Sequence, residues 1–116
     1  MAFLFENLTV YQKAVDLADR LTVLADEMPR GRSALADQLR RASLSIAANL
    51  AEGSGRFHKA EKRHFYLISR GSACECVPIL EICRRRNIID DNTNADIKGE
   101  LDQVCRILTT LIQKAG

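Results

Sequence analysis

A chain of 116 residues with 47% hydrophobic and 28% charged residues, six glycines and two prolines has the balance of a folded domain and not of a disordered tail. That length supports one hydrophobic core without disulfide or metal staples, so residues 1–116 are expected to form a single domain. No apolar run approaches the roughly 20 residues that span a bilayer, and the opening MAFLFENLTVYQ lacks the basic stretch, apolar core and small-residue cleavage site of a leader, so a cytoplasmic location away from membranes is expected.

A first helix is predicted over about residues 7–28, where Leu8, Tyr11, Val15, Ala18, Leu21, Ala25 and Met28 recur at steps of three and four. Asn7 offers a cap at its start and Pro29 a stop at its end. A second, over about 33–52, carries Leu35, Leu39, Ala42, Ile46 and Leu50 on one face, with Gly53 suited to a left-handed position at its C-terminus. The glycine-rich stretch EGSGRF reads as a turn, because a phosphate loop needs a preceding strand and a longer glycine pattern ending in Lys-Ser or Lys-Thr.

The third helix is predicted over about 58–86, with Phe65, Ile68, Ser72, Cys76, Ile79 and Cys83 in helical register. Pro78 inside it removes one backbone donor, which predicts a kink near Cys74–Pro78 without a break into two domains. After the Asp- and Asn-rich loop at 87–94, a fourth helix over about 93–114 shows the clearest stripe, Ile97, Leu101, Val104, Leu108 and Leu111. Four amphipathic helices with short connections and no alternating strand pattern predict an all-α, up-down-up-down four-helix bundle.

The cysteines Cys74, Cys76, Cys83 and Cys105 are expected to be reduced and to act as small buried hydrophobes, since nothing points to secretion. Cys74 and Cys76 point about 200° apart on a helix, and His58 and His64 lie six residues apart, so neither pair has metal-ligand spacing and no metal or cofactor is expected. Arg41, Asn49 and Glu52, and Glu75 with Glu81, place polar groups on helices, but catalysis needs a concave pocket that perturbs them. No catalytic residue and no enzymatic activity are expected.

The small net charge of +2 hides a division. Residues 30–86 hold twelve Lys/Arg against five Asp/Glu, and the remainder five against ten. Arg40, Arg41, Arg56, Lys59, Lys62 and Arg63 cluster around the second helix and the turn that follows, and Arg84, Arg85 and Arg86 close the third. Such clusters attract phosphates. They also suit a plainer role, in which arginines in a last helical turn complement its dipole and exposed ones solubilise a bundle. The basic and acidic halves further fit a head-to-tail ring of identical subunits.

The segments FENLTVYQKAVDLAD, ADQLRRASLSIAANLAEGSGR and HKAEKRHFYLISRGSACE together resemble the bacterial 23S rRNA-intervening sequence protein family, which includes the accessory variability protein of diversity-generating retroelements. The resemblance spans essentially the whole chain and is most specific from Gln38 to Arg56, with matches at Gln38, Arg40, Arg41, Ser45, Ile46, Asn49, Ala51, Glu52, Gly53, Gly55 and Arg56, then Phe65, Gly71, Ser72 and Glu75. Pro78, Cys74 and Cys76 depart from the pattern. The resemblance implies a four-helix bundle that assembles as a homopentamer, with a basic surface for nucleic acid and, in the retroelement relatives, a reverse transcriptase partner. The leading expectation is therefore a non-enzymatic homo-oligomer that binds RNA or a DNA/RNA intermediate through Arg40, Arg41, Arg56, Lys59, Lys62 and Arg63. The alternative is a module that docks a protein such as a reverse transcriptase without touching nucleic acid.

Overall fold

A computed structural model describes residues 3–115, and among these it shows four α-helices and no strand. A short 3-10 helix, Leu4–Asn7, precedes α1 (Thr9–Asp26), α2 (Ser33–Ser54), α3 (Lys59–Arg85) and α4 (Asp91–Ala115). Each helix packs on the next and α1 also packs on α4, so the four enclose one core. Leu17, Leu21, Leu39, Ile46, Leu50, Leu80, Ile97, Leu101, Val104 and Leu108 are its largest fully buried side chains.

The stripes of α2 and α4 stand as predicted over Leu39, Ala42, Ile46 and Leu50 and over Ile97, Leu101, Val104 and Leu108, whereas Leu35 and Leu111 are only half-buried and Ala36 and Ile112 take the core positions there. In α1 the buried face is instead Val10, Ala14, Leu17, Leu21 and Ala25, and Val15, expected in the core, is 40% exposed. The N-terminal half of α3 slips by one position: Tyr66 and Ser69 are buried, while Phe65 is partly covered and Ile68 exposed. Ser69 is accommodated because its hydroxyl donates to the Ile46 carbonyl at 2.7 Å.

Helix ends show two further corrections. Asn7 does not cap α1; it lies in the 3-10 helix, and the N-cap is Leu8 without a side-chain hydrogen bond. Gly53 is not left-handed, since α2 runs through it to Ser54; its missing side chain serves close packing against Tyr66 instead. The left-handed residue after a helix is Asn87 (φ 60°), where Ile88 N–H donates to the Cys83 carbonyl at 2.8 Å and Asn87 N–H to Arg84 at 3.0 Å, a Schellman closure. Asp90 then caps α4 by accepting from the Thr93 backbone N–H at 2.7 Å, which holds its carboxyl below the ordinary range. Helix α3 is continuous through Pro78.

Cys76 and Cys83 are buried as expected, and burial pushes the Cys76 thiol up to about 12. Cys74 is exposed and Cys105 only half-buried, because residue 74 falls on the outer face once the α3 core runs through Ser69, Ala73, Cys76 and Leu80.

At the end of α3, Arg84 and Arg85 both grip Glu81, at 2.9 and 3.1 Å, and Arg84 reaches Asp91 at 3.3 Å. Their hydrogen bonds lower the Glu81 carboxyl from 4.5 to about 2. A carboxylate depressed on folding contributes stability above its ordinary value and loses it as pH falls through the lower one. Carbon-13 titration should therefore place the Glu81 midpoint near 2, and Glu81→Gln should abolish that step; a midpoint above 4 would show that the arginine pairs do not form.

Candidate nucleic-acid interface

The six cations expected to bind nucleic acid divide into two groups. Arg40 lies in the first half of α2 and Arg56 just beyond its end, sixteen residues later, which is roughly 24 Å along a helix. The pair Arg40/Arg41 is thus remote from Arg56, Lys59, Lys62 and Arg63.

In the first group the charge is already occupied. Arg40 bridges α2 to α1 through Asp26 at 2.7 Å and also holds Asp37 at 2.9 Å. The Asp26 hydrogen bond, with the two carboxylate charges, raises the Arg40 guanidinium above its ordinary value. Arg41 reaches Glu75 on α3 at 2.8 Å and Gln38 at 2.8 Å. Both arginines act as ties between helices.

The second group gathers where α2 gives way to α3. Arg56 sits between Glu52 and Glu61, with its guanidinium over the Phe65 ring at 4.8 Å from the centroid. Lys62 donates to the backbone carbonyls of Ser54, at 3.1 Å, and Gly53, at 3.5 Å, so it closes the C-terminus of α2 and keeps its charge unneutralised. Lys59 and Arg63 are exposed and meet no carboxylate among the described residues. They lie four residues apart, on one face of α3.

Two residues not predicted complete this end of the bundle. Lys114, from the last turn of α4, joins Lys59, Lys62, Tyr66, Leu111 and Phe57 around an open cavity of about 300 Å³. Phe57 stands 96% exposed in the connection between α2 and α3. A larger open hollow of about 760 Å³ adjoins, lined by Phe3, Phe5, Ala48, Ala51, Arg56 and Phe57 among others. A surface of three lysines and an unburied aromatic ring can hold phosphates and stack a base. Lys114 had no local signal, because it lies in the acidic part of the sequence and reaches the cluster only through the packing of α4 on α3.

No helix among the described residues is long and apolar enough to cross a membrane. The profile of the family described as "23S rRNA-intervening sequence protein" matches residues 6–110. Among solved structures, the chain is similar to a protein of unknown function from the S23 ribosomal protein family of Bacteroides thetaiotaomicron VPI-5482. The match has 22% identity and a TM-score of 0.83, and it covers 90% of this chain and 98% of that one. At that identity the likeness speaks for the fold. No curated protein matches the chain.

Proposed function

The chain belongs to the 23S rRNA-intervening sequence protein family, and from that premise we propose that it is a non-enzymatic, up-down-up-down bundle that self-associates and binds RNA or a DNA/RNA intermediate at its α2–α3 end. The observation that carries this reading is a set of cations that meet no carboxylate among the described residues, Lys59, Lys62 and Lys114 around the exposed Phe57 and Arg63 one turn along α3 from Lys59. Phosphate contacts dominate such an interface and make it salt-dependent, with little demand on sequence.

Arg40 and Arg41 have the role of structural ties, and Arg56 that of a bracket between Glu52 and Glu61. The experiment is a salt titration of binding to a mixed RNA pool. Replacing Lys59, Lys62 and Arg63 together by Ala should weaken binding and shallow the slope of log K against log salt by roughly two units, at about 0.7 per lost single-strand contact. An Arg40→Ala/Arg41→Ala pair should leave that slope unchanged. The reverse pattern would move the interface to the middle of α2.

Exposed apolar side chains favour a second reading for the same region. Phe3, Leu4 and Phe57 lie open there. They suit a contact with another copy of the chain, or with a protein partner such as a reverse transcriptase in place of nucleic acid. Light scattering during the same titration separates these readings. A particle near five times 13.0 kDa that gains mass with RNA supports the ring and its basic end, whereas a particle indifferent to RNA supports docking of a protein.

A further inference from the structure

Where α3 lies along α4, two thiols come together, Cys74 outside the core and Cys105 packed against its edge. Arg70 Nε on α3 donates to Thr109 Oγ1 on α4 at 2.9 Å, and the Thr109 hydroxyl donates to the Cys105 carbonyl one turn earlier, also at 2.9 Å. Farther along α3, Arg84 reaches Asp91 near the start of α4. Residue numbers therefore rise along α3 as they fall along α4. Moving one helical turn from Arg70 to Cys74 and one turn back from Thr109 to Cys105 keeps the two positions opposite each other.

The side chains bear out this register. The Cys105 thiol is pushed up to about 11, first by burial and then by the neighbouring Cys74, which places the two sulfurs close together. Cys74 is exposed and Cys105 half-buried, and both are free thiols. An outward thiol facing a sheltered one has the arrangement of an attacking and a resolving cysteine.

We propose that Cys74 and Cys105 form an oxidant-responsive dithiol that closes to a disulfide across α3 and α4, with hydrogen peroxide as the oxidant. The Cys74 thiolate attacks a peroxide oxygen, the O–O bond breaks, and a water departs after taking up a proton, leaving a sulfenic acid on Cys74. The Cys105 sulfur then attacks the Cys74 sulfur. The S–O bond breaks, and the hydroxyl leaves as a second water with the Cys105 proton. Two thiols are oxidised by two electrons in total and one peroxide is reduced to two waters.

Because burial and the neighbouring Cys74 raise the Cys105 thiol to about 11, the second step speeds up as pH rises toward that value. Cys76 is the internal competitor, since it lies near enough for the Cys105 charge to raise its own pKa, but it is fully buried.

The test is peptide mapping of the full chain after brief treatment with dilute hydrogen peroxide, blocked with an alkylating agent and run without reductant. The expected product is an intramolecular cross-link between residues 71–84 and 99–106, with an intact mass lower by two hydrogens. It should be lost in Cys74→Ser and in Cys105→Ser but kept in Cys76→Ser, while circular dichroism confirms that each variant is helical. A cross-link that survives Cys74→Ser, an intermolecular dimer as the sole disulfide, or oxidation of Cys74 that stops at sulfenic or sulfinic acid would each overturn the proposal.

Discussion

Leu17→Ala is expected to destabilise the protein by about 2–5 kcal/mol, the cost of removing a buried isobutyl group and leaving part of its volume empty. For a domain of this size that is a fall in Tm of roughly 10–20 °C. Leu17 is 1% exposed and points into the core from the middle of α1. Val15, two residues earlier, is 40% exposed, so Val15→Ala should stay within about 0.5 kcal/mol. Thermal unfolding of the two variants side by side reads the rotational phase of α1 directly. Equal losses, or a larger one at Val15, would mean that the helix buries its other face.

The contrast between those residues also shows where sequence reasoning stops. Two overlapping stripes run along α1, one through Tyr11, Val15 and Ala18 and one through Val10, Ala14 and Leu17, and they share Leu21 and Ala25. Periodicity identifies the helix but cannot choose between faces 100° apart when both are apolar; the packing of α2 and α4 makes the choice. The first half of α4 has no such ambiguity, because Lys98, Gly99, Glu100, Asp102 and Gln103 fill the positions between Ile97, Leu101 and Val104. In α3 the true face was hidden by Ser69, a polar residue made compatible with the core by one carbonyl on α2.

The candidate interface was legible to a similar depth. Counting charges located the basic half of the chain, but a count does not register partners. Asp26, which occupies Arg40, is fourteen residues away, and Glu75, which occupies Arg41, is thirty-four. Both pairs arise from packing between helices. The ties visible from spacing were Glu52–Arg56, at i and i+4, and Asp37–Arg40, at i and i+3. Lys59 and Arg63 keep their charge because the same face of α3 carries no acid near them, and Lys114 arrives from the far end of the sequence.

The core and this surface meet at Gly53, and two glycine substitutions of identical chemistry should there take opposite signs. A Cβ at residue 53 would lie 2.9 and 3.0 Å from Tyr66 Cε1 and Cδ1 and 3.1 Å from Phe65 Cβ. The Phe65 atom is fixed to the α3 backbone and the Tyr66 ring is buried, so neither can rotate clear. Overpacking of this kind costs about 1–3 kcal/mol, and the gain in helix propensity from Gly to Ala returns only about 1 kcal/mol. Gly53→Ala should therefore lower stability by up to about 2 kcal/mol. Gly71, inside α3, has no atom within 4 Å of the same added group, so Gly71→Ala should raise stability by about 0.5–1 kcal/mol. Denaturant unfolding measures both, and a Gly53→Ala that stabilises as much as Gly71→Ala would refute the close approach of α2 and α3. The strain should also travel outward. The Tyr66 hydroxyl lies 3.3 Å from Ser54 Oγ, and Lys62 is held by the Ser54 and Gly53 carbonyls. Separating the helices at Gly53 thus displaces the lysine that the proposed interface needs, which couples the packing of the core to the placement of its charge.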